Sequence, residues 1–168
     1  MLFSQGPETE LSKEKQFWDA ADKGDLSVVK NLAADPTLKI NWQDSQFADT
    51  ALNIACYQGR EFVVEFLLTL PNIDVNKPNK DEATPFFVAC FQGNKEVVSL
   101  LLADMRIEVK QLRDTEVTPF YIACENGHKE VVSLLMADKR IDVNKPKNTG
   151  SSPFLIACGK GHRCNSCS

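Results

Sequence analysis

Apolar and polar positions along this chain form a pattern that returns every 34 or 35 residues. The clearest copy is residues 118–138, TPFYIACENGHKEVVSLLMAD. Moved back by 34 positions it falls on residues 84–104, TPFFVACFQGNKEVVSLLLAD. Moved forward by the same step it meets SPFLIACGKGH from Ser152, and further back it meets TALNIACYQGREFVVEFLLTL from Thr50. Gly24, Gly59, Gly93, Gly127 and Gly161 keep the register, with separations of 35, 34, 34 and 34. A fixed period of this size marks a stack of like units, each too small to bury its apolar face alone.

Within one period the pattern predicts two helices. Thr118 is placed to cap free amide groups, and Pro119 suits the first helical position, where no amide partner is lost. Phe120, Ile122, Ala123 and Cys124 give this helix an apolar side whose small residues admit a close neighbour. Gly127 is expected to end it in a left-handed conformation. Residues 129–137 then form the second helix, with Glu130 favourably placed in its first turn and Val131, Val132, Leu134 and Leu135 as its buried side. Residues 141–144 are expected to run extended, and 144–150 to turn toward the next Ser152-Pro153.

The first unit is atypical. A helix beginning at Ser12 or Glu14 carries Phe17, Trp18, Ala20 and Ala21, and Asp25 caps a second with Val28, Val29 and Leu32 inward. Trp18 reads as a partly buried end residue, with a ligand anchor as the other reading. The expected organisation is a mobile arm over 1–12, an array over 13–162 and a disordered tail over 163–168. Repeats fall near 13–40, 41–75, 76–109 and 110–143, with a truncated copy at 144–162.

These motifs resemble the ankyrin repeat. The family's opening motif reads TPFFVA, TPFYIA, SPFLIA and, more weakly, TALNIA; its later segment reads GNKEVVSLLL and GHKEVVSLLM. Asp74-Val75-Asn76 and Asp142-Val143-Asn144 match its D-V-N run. The resemblance spans about residues 15 to 162. It implies an all-α, ankyrin-type α-solenoid of stacked helix-turn-helix repeats with protruding hairpin-like loops. Three departures stand out. The family's histidine is replaced by Asn53, Phe87, Tyr121 and Leu155. Its Gly-Ala pair is replaced by Arg106-Ile107 and Arg140-Ile141. Lys110 stands where an asparagine is expected.

A net charge of −4 and a pI near 5.2 argue against a nucleic-acid or anionic-membrane partner engaged by bulk charge. No apolar stretch approaches the ~18–20 residues of a membrane span, and the first residues lack the pattern of a secretory signal. A cytoplasmic setting is the expectation, with a nuclear one open. Cys56, Cys90, Cys124 and Cys158 share one repeat position, usually a buried small residue in the family, and read as packing thiols. Stacking would hold them about 10 Å apart, beyond the ~7 Å reach of a disulfide.

No nucleophile–base set and no phosphate-binding glycine loop is present, so neither an enzyme nor a cofactor is expected. Glu61, Glu96 and Glu130 fall in the first turns of successive second helices and read as helix-dipole partners, not as a catalytic pair. His128 and His162 follow turn glycines, and the resemblance makes them structural. Cys158, His162, Cys164 and Cys167 have the residue types of a zinc site, against which an unstructured tail is the plainer reading.

What remains is binding. The resemblance implies recognition of a partner protein through loop tips and the exposed side of the first helices. The two residues before each turn glycine vary between copies while Phe86, Ala89 and Leu101 keep like residues in theirs. Those variable positions include Tyr57, Gln58, Phe91, Gln92, Glu125 and Asn126. Phe47, Lys80 and Arg113 at loop tips complete the expected surface. The expected function is a protein–protein interaction scaffold or adaptor. The alternative is a regulatory or targeting segment of a larger, truncated multidomain protein. A monomer is expected, with end-to-end association open at the incomplete last repeat.

Overall fold

The computed structural model describes residues 11–110 and 117–160. Among these there are nine α-helices and no strand. They are α1 (Lys13–Lys23), α2 (Leu26–Ala33), α3 (Ala51–Tyr57), α4 (Glu61–Leu68), α5 (Pro85–Gln92), α6 (Lys95–Ala103), α7 (Pro119–Asn126), α8 (Lys129–Ala137) and α9 (Pro153–Gly159). The odd-numbered helices form one layer in which each packs on the next, from α1 to α9. The layer behind it runs α2, α4, α6, α8, and each of these also packs on its own first helix.

Local chemistry sets the helix ends. The Thr84, Thr118 and Ser152 hydroxyls accept from the Phe87, Tyr121 and Leu155 amides, with proline in the first turn. Thr50 forms a full capping box with Asn53. The helix entries are themselves buried: Thr84 and Thr50 are almost wholly covered by neighbours. Such buried hydroxyls need these bonds, because an unpaired one would lose its hydration without compensation.

The core lies between the layers and runs the length of the stack. Phe17, Leu52, Phe86 and Phe120 occupy one repeat position, and all are buried. Val29, Val64 and Val98 form a second such column, and Leu67, Leu101 and Leu135 a third. Full burial of each such side chain contributes about 1.5–3 kcal/mol, and no single unit could supply the covering surface.

Four expectations need correction. Val28 is exposed, unlike its buried copies Val63, Val97 and Val131, because among the described residues no helix precedes α1 to cover that side of α2; Val29 carries the burial instead. Val132 is half-buried, unlike its buried copies Val64 and Val98, and Leu134 is half-buried as are its copies Phe66 and Leu100. Residues 141–144 turn instead of running extended, guided by the Asp142 carboxylate accepting from the Asn144 amide. Cys158 is exposed, unlike buried Cys56, Cys90 and Cys124. Its helix α9 packs on α7, the neighbour on one side.

Between helix pairs the chain makes fingers, and three of them, among the described residues, are closed across the base by a backbone hydrogen bond. The Asp44, Asn79 and Lys147 amides donate to the Asp49, Ala83 and Ser151 carbonyls. Adjacent fingers are joined where the Lys80 amide donates to the Phe47 carbonyl at 2.8 Å.

Polar side chains then tie each repeat to the one before it. The residue after the turn glycine reaches back to the end of the preceding first helix. Arg60 donates to the Asp22 carbonyl, Asn94 to those of Cys56 and Tyr57, and His128 Nε2–H to that of Phe91 at 2.8 Å. Arg106 and Arg140, chelated by Asp104 and Asp138, do the same for the second helices. Their guanidiniums donate to the Leu68 carbonyl at 2.7 Å and the Leu102 carbonyl at 2.8 Å. These arginines hold both carboxylates below their ordinary range by direct hydrogen bonds.

Candidate interaction surface

Tyr57 closes α3, and Phe91 lies in the last turn of α5. Both are large rings left 45% and 39% exposed, at the same repeat position on two helices packed side by side. The residues one turn inward explain this. Asn53 and Phe87 point into the stack and are buried, so the first helices offer their last turn to solvent and their middle to the core. Phe47 is 52% exposed at the tip of the first finger. Lys80, exposed on the next finger, is held beside it by the backbone bond between the two loops.

The other predicted positions have mixed duties. Gln58 is exposed and donates to the Asp22 carboxylate at 2.7 Å. Asn126 donates to the Phe91 carbonyl at 2.9 Å, beside His128, so it also secures the joint between α5 and α7. Gln92 is half-buried. Glu125 pairs with Lys160 across the α7–α9 boundary at 3.4 Å. Arg113 lies outside the described residues. The structure thus brings Phe47 together with Lys80, and puts Tyr57, Phe91 and Glu125 in one register on α3, α5 and α7.

The absent family histidine has two replacements in its packing role. The Phe87 and Tyr121 rings fill the space and are buried. Asn53 keeps a polar link, donating to the Ala83 carbonyl of the next loop at 3.4 Å. Trp18 at the first repeat is half-buried, its indole N–H donating to the Asp49 carbonyl and its ring lying under the Lys15 ammonium at 4.2 Å. Asp49 itself is desolvated, which raises its pKa, although Asn79 donates to its carboxylate.

His128 is committed to the Phe91 carbonyl as a joint residue. Burial pushes the Cys56 and Cys90 thiols up, away from the reactive thiolate. Among the described residues no three His, Cys, Asp or Glu side chains converge as metal ligands. Three members of the zinc reading, His162, Cys164 and Cys167, lie outside the described residues.

Two features of the surface escaped the sequence reading. Phe62 on α4 is 68% exposed and Met105 79% exposed, both on the second-helix side. The signal for Phe62 was present: the other copies carry Ser27, Glu96 and Glu130 at that position.

Two layers of paired helices in one repeating register define an all-α solenoid. The sequence model described as ankyrin repeats (3 copies) matches residues 17–112 and 105–166, and the chain belongs to the ankyrin-repeat family. Ankyrin repeats generally mediate protein–protein interaction and are typically without enzymatic activity. A search of curated proteins gives no match. Among the described residues no helix is long and apolar enough to cross a membrane.

Proposed function

We propose that this chain is an interaction scaffold that binds a partner protein through the last turns of α3, α5 and α7 and the tips of the first two fingers. The observation that carries the reading is the exposure of Tyr57 and Phe91 at one repeat position on adjacent packed helices. Phe47 offers a third ring at a loop tip. Exposed aromatic side chains supply large contact area at low entropic cost, and binding hot spots are enriched in tyrosine. Lys80, Gln58, Gln92, Glu125 and Asn126 supply polar groups beside these anchors, and Arg113, outside the described residues, stays in the proposed set on the sequence alone. The acidic side chains of Asp22 and Glu125 favour a partner that brings a lysine or arginine beside an apolar anchor.

Cys56, Cys90 and Cys124, buried as thiols and outside any disulfide, fit a reducing compartment, which supports a cytosolic or nuclear setting. The test is the double variant Tyr57→Ala with Phe91→Ala. Quantitative affinity capture should lose the partner that the unaltered chain retains, while the thermal midpoint barely moves. A large fall in the midpoint would make these rings part of the core and remove the proposed surface.

A further inference from the structure

The joints between fingers follow one template, and one joint lacks it. In the first, the Asn41 carboxamide spans two peptide groups of the next repeat: Nδ2 donates to the Asn72 carbonyl at 2.8 Å, and Oδ1 accepts from the Asp74 amide at 2.9 Å. Asn76 repeats the arrangement, with the Arg106 carbonyl at 2.8 Å and the Glu108 amide at 2.9 Å. The next residue in this register is Lys110, whose ammonium can donate but cannot accept. The groups it should have spanned are the Arg140 carbonyl and the Asp142 amide. Neither has a hydrogen-bond partner among the described residues.

A further bond of the first joint is also missing. Lys77 Nζ donates to the Asn41 carbonyl at 3.0 Å. Its copy Lys145 makes no such bond among the described residues, and Lys110 stands beside it with a like charge. What remains is a cavity of about 200 Å³ bordered by Val109, Lys110, Thr118, Phe120, Ile141 and Lys145. The Asp142 carboxylate also faces this region but accepts from the Asn144 amide, so among the described lining residues two ammonium groups are set against one hydrogen-bonded carboxylate.

We infer that this joint is a binding slot for a peptide segment bearing a carboxamide next to a carboxylate. An asparagine or glutamine of the partner takes the place that Asn41 and Asn76 fill from within the chain. It donates to the Arg140 carbonyl and accepts from the Asp142 amide. The neighbouring carboxylate meets Lys110 and Lys145. The chain's own two filled joints define the ligand group, since the same peptide edge is presented in each. This slot is independent of the aromatic surface on α3 and α5.

The test is an NMR titration of the full chain with a blocked Glu-Asn-Glu peptide, read at the Asp142 backbone amide. Binding in the millimolar range is expected, with the same titration by a Glu-Leu-Glu peptide weaker by about tenfold or more. Lys110→Asn supplies the chain's own carboxamide and should abolish the response while raising the thermal midpoint. Lys110→Ser leaves the slot open and removes one cation, so it should retain the preference for asparagine with weaker binding. Tyr57→Ala with Phe91→Ala should leave the titration unchanged. An unmoved Asp142 resonance, an equal response to the leucine peptide, or an undiminished response in Lys110→Asn would overturn the inference.

Discussion

Gly93→Ala tests whether the repeats are locked through their turns. Gly93 has φ of +78°, and an added Cβ would lie 2.3 Å from His128 Nδ1 and 2.5 Å from its Cγ. The left-handed conformation costs an alanine about 1–2 kcal/mol. Displacing the imidazole forfeits its bond to the Phe91 carbonyl, worth about 1 kcal/mol. Against these, alanine restricts the unfolded chain by about 0.4–1 kcal/mol. The expected net loss is about 2 kcal/mol. Gly150→Ala is the control: its φ is +81°, but the added carbon meets nothing within 4 Å. It should cost about 1 kcal/mol, essentially the backbone term less the unfolded-state gain. Urea unfolding followed by circular dichroism measures both. Adding His128→Ala to Gly93→Ala should cost less than it does alone, giving a coupling of about 1 kcal/mol. Equal losses for the two glycine variants, or strict additivity with His128→Ala, would refute the reasoning.

Further predictions follow from the core and the joints. Leu101→Ala should cost about 2–5 kcal/mol by opening a cavity, while Cys90→Ala at the neighbouring small-residue position should cost much less; thermal melts compare them directly. Of the four repeat-position thiols, Cys158 should react with a maleimide in the native state, with Cys56, Cys90 and Cys124 protected until the chain unfolds. Asp104 and Asp138 have folded pKa values below the ordinary ~3.9, so their contribution is complete above that value and is lost as pH falls through the folded ones. Acid titration of stability should therefore be shallower in Asp104→Asn with Asp138→Asn.

Most of the helical frame was legible because its signals are local. Thr84, Thr118 and Ser152 announce helix entry, Gly93 and Gly127 announce exit, and both act within a turn of where they stand in sequence. Burial was legible where a column has neighbours on both sides, as at Cys56 and Cys90, and failed at Cys158 and Val28, where the described residues supply a neighbour on one side. The arginines at 106 and 140 stood in the sequence only as a departure from the family pattern, because their carbonyl partners lie 38 residues away in the chain. For the candidate surface, variation between copies pointed to Tyr57 and Phe91, and both are exposed. The same signal could not separate them from Gln58 and Asn126, which vary in identity yet retain amide groups that bond to the preceding repeat.

The back-reaching residues also bear on how such a chain can change length. Arg60, Asn94 and His128 differ in shape, but each brings an N–H to the open carbonyls of the helix before it. A helix end is therefore finished by whichever unit comes next, so long as that unit carries a donor after its glycine. Excising one whole period would bring a new donor to the same carbonyls, with every cap retained inside its own unit. Duplicating one would do likewise. Recombination that respects the period thus leaves the polar chemistry of the stack intact, whereas a cut out of phase by even a few residues would strip carbonyls on one side and strand donors on the other.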